Sequence, residues 1–192
     1  MEQHTQYALL AISGSLRKAS FNTLLAKYLK HIAPKNLSIN TMTLHNLPLY
    51  NADEDVSSSP ESVKFLRDSI SNCDGLILVS PEYNYGPPGV LKNAIDWASR
   101  PAFNSVLKSK PVLIITASAG PAGGTRANAQ LRDTLAGTLS RVVVRKQVAI
   151  GTVNQKLEGN RVNDPDTTEL LKDSLNDLVL EIKIARLFSR EN

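Results

Sequence analysis

Apolar residues in this chain come either as short continuous runs or as positions recurring every three or four residues. Tyr7–Ile12, Gly75–Ser80 and Pro111–Ala117 are continuous runs of strand length, the pattern of strands covered on both faces. Leu37–Leu44 alternates as a half-buried strand does, and Val142–Ile150 reads as a fifth strand. Helical spacing recurs between the strands. Leu24, Leu25, Tyr28, Leu29 and Ile32 make one inner face, and Val63, Leu66 and Ile70 a second. Val90, Leu91, Ala94, Ile95 and Ala98 make a third, and Asn128–Leu139 predicts a fourth helix. Asp166 to Arg186 predicts a long last helix with Leu171, Leu175, Leu178 and Ile182 inward. Ser59-Pro60 reads as an N-cap followed by proline in the first turn.

Strands alternating with helices imply an α/β fold with a parallel sheet covered on both sides. Right-handed crossovers leave few topologies at this size. The expected one is a flavodoxin-like three-layer sandwich, a five-stranded parallel sheet in the order 2-1-3-4-5, with residues 1–192 as a single domain. Such a sheet has its switch point between strands one and three, where ligands bind outside the carboxyl ends of the strands.

Composition changes this picture little. The chain has 192 residues, enough for one full hydrophobic core. Its net charge of +4 is small and scattered among acids, which argues against a nucleic-acid surface. One cysteine, Cys73, excludes an internal disulfide, suits a reducing compartment, and falls where a helix meets a strand, as a buried structural thiol would. The N-terminus shows no signal-peptide pattern, and no apolar run approaches the ~20 residues of a membrane span. The expectation is a cytoplasmic protein with no membrane and no nucleic-acid partner.

The chemistry lies in the loops. Ser13-Gly14-Ser15-Leu16-Arg17-Lys18-Ala19-Ser20-Phe21-Asn22 follows the first strand and opens a helix. Amides at a helix start lack internal partners and sit at the positive end of the dipole. Ser15, Ser20 and Asn22 add short polar groups, Arg17 adds a fork of donors, and Gly14 permits a sharp turn. The loop thus suits one phosphate, although Ser20 could equally be a simple cap and Arg17 a solvated charge. After the third strand, Pro81-Glu82-Tyr83-Asn84-Tyr85-Gly86-Pro87-Pro88-Gly89 is a stiff loop of aromatic, amide and proline groups. It can offer main-chain amides and flat side chains to a planar ring at little ordering cost. After the fourth strand, Ser118-Ala119-Gly120-Pro121-Ala122-Gly123-Gly124-Thr125-Arg126 lies on the same sheet edge. Glycine allows close backbone approach there, and a flexible surface loop with a surface Arg126 is the competing reading. A phosphate loop and a ring loop at the switch point together suggest a mononucleotide.

Other chemistries fit poorly. There is no Walker A motif and no dinucleotide fingerprint. Ser118 lacks the glycine two residues before it that a nucleophile elbow needs, and no histidine follows it. His4, His31, His45 and Cys73 offer no metal-site spacing. No dedicated catalytic side chain and no metal are expected.

These motifs resemble the NADPH-dependent FMN reductase family, which includes chromate, quinone and azo-dye reductases. The resemblance rests on Gly14 to Asn22, on Pro81 to Gly86 with Pro88 to Trp97, and on Leu47 to Asn51 and Gly120 to Arg126. It spans roughly residues 7 to 150. It implies non-covalent FMN, with Ser15, Arg17, Ser20, Phe21 and Asn22 at the phosphate end. Pro81, Glu82, Tyr83 and Asn84 would line the isoalloxazine, with Ser118 and Gly120 at its other edge. It further implies ping-pong hydride transfer from NADPH (or NADH) through FMN to a quinone-like acceptor. Members are homodimers or homotetramers with the flavin near the subunit interface, where Trp97 is a candidate contact if it is not simply core. A flavodoxin-type electron carrier, or a flavin-based redox sensor, is the competing class; such carriers are typically acidic, with a Thr-rich phosphate loop.

Overall fold

A computed structural model describes residues 5–55 and 59–188. The sheet runs in the order β2 (Leu37–Thr43), β1 (Tyr7–Ser13), β3 (Gly75–Ser80), β4 (Pro111–Ala117), β5 (Arg141–Val142), all parallel. This is the flavodoxin-like order that the alternation of runs predicts. Side-chain alternation explains the near-continuous apolar strands. Leu9, Ala11, Ile77, Val79, Leu113 and Ile115 join the core under helices α1 (Phe21–Ile32) and α6 (Pro165–Phe188). Their neighbours Leu10, Ile12, Leu76, Leu78, Val112 and Ile114 join the core under α2 (Glu61–Ser71), α3 (Gly89–Ala98) and α4 (Thr125–Gly137). A strand buried on both faces cannot show a polar side, so the sequence shows none.

The expected fifth strand is two pieces. β5 pairs with Pro111 and Val112, and β6 (Val148–Ile150) pairs with Ile115 to Ala117. From Val112 to Ile115 is three steps on β4, while from Val142 to Val148 is six, so three extra residues loop out. Val144 there is 91% exposed, and the Arg132 guanidinium donates to the carbonyls of Val143 (3.4 Å) and Arg145 (3.3 Å). These bonds give the excursion partners that the sheet does not.

Other boundaries move for local reasons. Pro60, not Ser59, stands at the N-cap of α2 and makes no side-chain cap; Ser59 Oγ instead accepts from Arg67 Nη1 at 3.4 Å. α4 begins three residues before the expected Asn128 and ends at Gly137, with Leu139 already left-handed at φ 60°. The polar stretch before α6 holds a short helix α5 (Val153–Lys156) and a hairpin of β7 (Leu157–Glu158) with β8 (Arg161–Val162). Trp97 is fully buried and donates from Nε1 to Pro48 O at 2.9 Å, so it is a core residue and not a surface contact. Cys73 is buried as expected, and burial pushes its thiol pKa up, away from the reactive thiolate. Among the described residues no helix is long and apolar enough to cross a membrane, and no cluster of His, Cys, Asp or Glu could hold a metal ion.

Candidate functional site

Three loops leave the carboxyl ends of β1, β3 and β4 at the switch point and enclose a cleft of about 160 Å³. Ser15, Arg17, Ser20, Phe21 and Asn22 form one wall. Pro81, Glu82 and Tyr83 form the second, and Ala117, Ser118 and Ala119 the third. Nine of the eleven residues proposed from sequence are therefore brought together. Asn84 and Gly120 are not in the lining: Asn84 is an exposed turn corner, and the Gly120 carbonyl accepts from Ser118 Oγ (3.1 Å) and Thr152 N (3.1 Å) to hold its own loop. Ala117 and Ala119 were not expected. With no polar side chain they give no chemical signal, and their small size at a strand end is the only hint.

The first loop is held by its own short side chains. Gly14 N donates to Val79 O (2.8 Å), Ser15 N to Ser13 Oγ (3.4 Å) and Arg17 N to Ser15 Oγ (3.4 Å). Gly14 sits in a tight place, where a Cβ would stand 3.0 Å from Leu91 Cδ2 and 3.2 Å from Ser80 Oγ. Ser20 does cap α1, its Oγ accepting from Thr23 N at 3.2 Å. Capping and ligand binding are compatible, because the amides of Phe21 and Asn22 remain without intrahelical acceptors. Arg17 donates to Ala19 O (2.9 Å) and lies against the Phe21 ring, which keeps its charge at the helix start.

The second loop is a two-residue hairpin turn. Tyr83 N donates to Gly86 O (2.9 Å) and Gly86 N to Tyr83 O (3.0 Å), with Asn84 (φ 49°) and Tyr85 (φ 67°) both left-handed at the corners. That is the type I′ form, which asparagine tolerates and tyrosine does not favour. The Glu82 carboxylate is held by α4. Its Oε2 accepts from Arg126 N (2.9 Å) and Ala127 N (3.0 Å) at the start of α4. Arg126 is on the surface as the sequence suggests, yet it has partners: it pairs with Glu82 Oε1 at 3.7 Å and covers the Tyr85 ring at 4.1 Å. In the third loop Gly123 (φ 64°) and Gly124 (φ 84°) are both left-handed, and a Cβ on Gly123 would stand 2.6 Å from Ala149 C, so glycine there is required by the backbone.

The cleft's donor set fits a phosphate ester with hydroxyls beside it. Helix-start amides and Arg17 favour an anion, and the one carboxylate in the wall already accepts from two amides at the start of α4. Asn22 is 4% exposed; its Nδ2 donates to Ala117 O (3.1 Å), while its Oδ1 is a buried acceptor without a partner. A hydroxyl donor on the ligand would satisfy it. FMN offers all of these: a phosphate, a chain of hydroxyls and a planar ring for the stiff second loop.

Fold and cleft together define a flavodoxin-like mononucleotide-binding protein. Residues 7–155 match the family model described as NADPH-dependent FMN reductase. The chain is 42% identical over 165 residues to the quinone reductase of Escherichia coli K12, covering 85% of this chain and 84% of that one. It is 36% identical over 179 residues to an NAD(P)H-dependent FMN reductase of Pseudomonas aeruginosa, covering 93% and 96%. Among solved structures it superposes on FerB, a flavoenzyme NAD(P)H:(acceptor) oxidoreductase from Paracoccus denitrificans, with a TM-score of 0.85 at 32% identity over 93% of this chain and 98% of that one. The chain belongs to the NADPH-dependent FMN reductase family. It is an oxidoreductase whose cofactors are FMN and a reduced nicotinamide.

Proposed function

We propose that this protein is a single-domain FMN enzyme that passes electrons from NAD(P)H to a quinone-like acceptor, with the flavin held in the switch-point cleft. The observation that supports this most is the meeting, in one cleft, of a helix start whose Phe21 and Asn22 amides lack intrahelical acceptors, an unpartnered Asn22 Oδ1 and a turn-closed ring loop whose carboxylate is engaged elsewhere. Ser15, Arg17, Ser20, Phe21 and Asn22 hold the phosphate end. The main chain of Pro81 to Tyr83 faces the ring, and Ser118 closes the opposite edge. When bound, FMN supplies the hydride chemistry, accepting two electrons from the nicotinamide and returning them to the acceptor. The chain's part is to bind and orient, to neutralise the phosphate and to keep the ring's environment fixed, so the cleft needs no acid–base dyad. The quinone acceptor is supported by the quinone reductases among the relatives, and chromate or azo compounds are further acceptors to test. A homodimer or homotetramer accords with a cleft of about 160 Å³, smaller than a whole flavin, a second copy covering the exposed part, and the lone buried thiol of Cys73 suits the reducing cytoplasm.

The visible spectrum of the purified protein should show bound flavin, and anaerobic NADPH should bleach it rapidly, with a benzoquinone restoring it. Replacing Arg17 and Asn22 together with alanine should weaken FMN binding at least tenfold, read by fluorescence quenching on titrating FMN into apoprotein. Flavin that NADPH leaves oxidised would favour the electron carrier, and full binding by the double variant would move the phosphate site elsewhere.

A further inference from the structure

We propose that Glu82 is a positioning residue: from outside the helix its carboxylate caps α4, and this fixes the course of the 82–85 turn along the cleft before flavin arrives. The proposal rests on the reading that the cleft holds the flavin. The N-cap of α4 is Gly124, which has no side chain to offer the first free amides. Glu82, 44 residues away in sequence, supplies the acceptor instead, its Oε2 taking both Arg126 N and Ala127 N. One oxygen thus accepts from two helix-start amides that the helix itself cannot satisfy.

Two further ties run the same way. The Arg126 guanidinium covers the Tyr85 ring, and Gln130 Nε2 donates to Tyr85 O at 2.8 Å. α4 therefore grips both ends of the segment from Glu82 to Tyr85. The grip acts on a turn that would not hold its form unaided, because Tyr85 is a non-glycine residue in the left-handed region. Close approach is built in as well: a Cβ on Gly124 would lie 3.4 Å from Glu82 Cβ and 3.1 Å from Thr116 Cβ. A direct electrostatic role toward flavin would require the carboxylate to be available. Two amides and a guanidinium occupy it, and its side chain is 13% exposed.

The test separates shape from charge. Glu82→Gln keeps an amide oxygen that can accept from both backbone amides and removes the charge, whereas Glu82→Ala removes the cap. FMN titrated into each apoprotein should bind E82A about tenfold or more weakly than wild type and E82Q within about threefold, and the flavin midpoint potential of E82Q should match wild type. E82Q binding as weakly as E82A, or shifting the potential, would overturn the proposal in favour of a direct effect of charge. E82A binding as tightly as wild type would also overturn it. Should E82A fail to fold by circular dichroism, amide exchange decides. The Arg126 and Ala127 amides should be protected in wild-type and E82Q apoprotein alike, and fast exchange of both in the wild type would end the idea. Failure of the underlying reading looks different: FMN binding would then be unaffected by the Arg17 and Asn22 replacements, whatever Glu82 does.

Discussion

At the scale of single residues, several positions mean something other than their type suggests. Gly123 reads in the sequence as part of a flexible loop, yet it is left-handed and an added Cβ would stand 2.6 Å from Ala149 C and 2.7 Å from Ile150 N. Backbone cannot give way as a side-chain tip can. Gly123→Ala should therefore cost about 2–3 kcal/mol of stability, combining backbone strain with displacement of the 149–150 main chain. Urea unfolding of the variant checks this, and a loss within 0.5 kcal/mol would show that the loop relaxes freely. That Ser15, Ser20, Asn22 and Tyr83 share one sheet edge was legible, because in this topology the loops after strands one and three meet at the switch point. The roles of Glu82 and Arg126 were not legible, because their partners are 44 residues apart and only the folded sheet edge brings them together.

Among the elements, strands buried on both faces and helices with a clean inner stripe were readable, and the ends of elements were less so. α4 hid its first turn because its cap comes from another segment, and the fifth strand hid its break because Val143 and Val144 look like strand residues. α6 shows the opposite case, a helix start written locally. Asp164 precedes Pro165, and its Oδ2 accepts from Thr167 N (3.0 Å) and from Thr167 Oγ1, with Lys156 Nζ at 3.3 Å. The Thr167 hydroxyl bond, more than the Lys156 charge, holds the Asp164 carboxyl below its ordinary pKa. A carboxylate depressed in the folded state stabilises fully above its unfolded value of about 3.9, and that contribution disappears as pH falls through the lower folded value. Asp164→Ala should lose about 1 kcal/mol at neutral pH, a cost typical of a lost N-cap. The difference in melting temperature from wild type should begin to shrink as pH falls below about 4, where the unfolded carboxyl starts to protonate, and vanish only below the lower pKa of the folded carboxyl. A difference that stays constant down to pH 2 would mean that Asp164 acts through packing and not through its charge.

For the whole molecule, the two cores share the strands between them. Leu9 and Leu10, or Ile77 and Leu78, are neighbours in the chain that bury into opposite layers. Neither layer can open without exposing the back of the sheet that the other covers, so the two cores should unfold as one cooperative unit. The cleft is made by loops from β1, β3 and β4, which leave the centre of that sheet. Its geometry exists only while the whole sheet does, and FMN should bind the folded chain and not the unfolded one. Ligand at a hundredfold excess over its dissociation constant then stabilises by about 2.7 kcal/mol. For a chain of this size each kcal/mol moves the midpoint by about 2–4 °C, so FMN at that excess should raise the melting temperature of the apoprotein by roughly 5–11 °C. The Arg17 and Asn22 double variant at the same FMN concentration should show only a small part of that rise, because its weaker binding lowers the ratio on which the shift depends. Two separate transitions, or a rise equal in both proteins, would mean that the cleft is not where folding and flavin binding are coupled. A single transition whose shift follows the cleft variants would tie the cofactor to the switch point through the stability of the entire sheet.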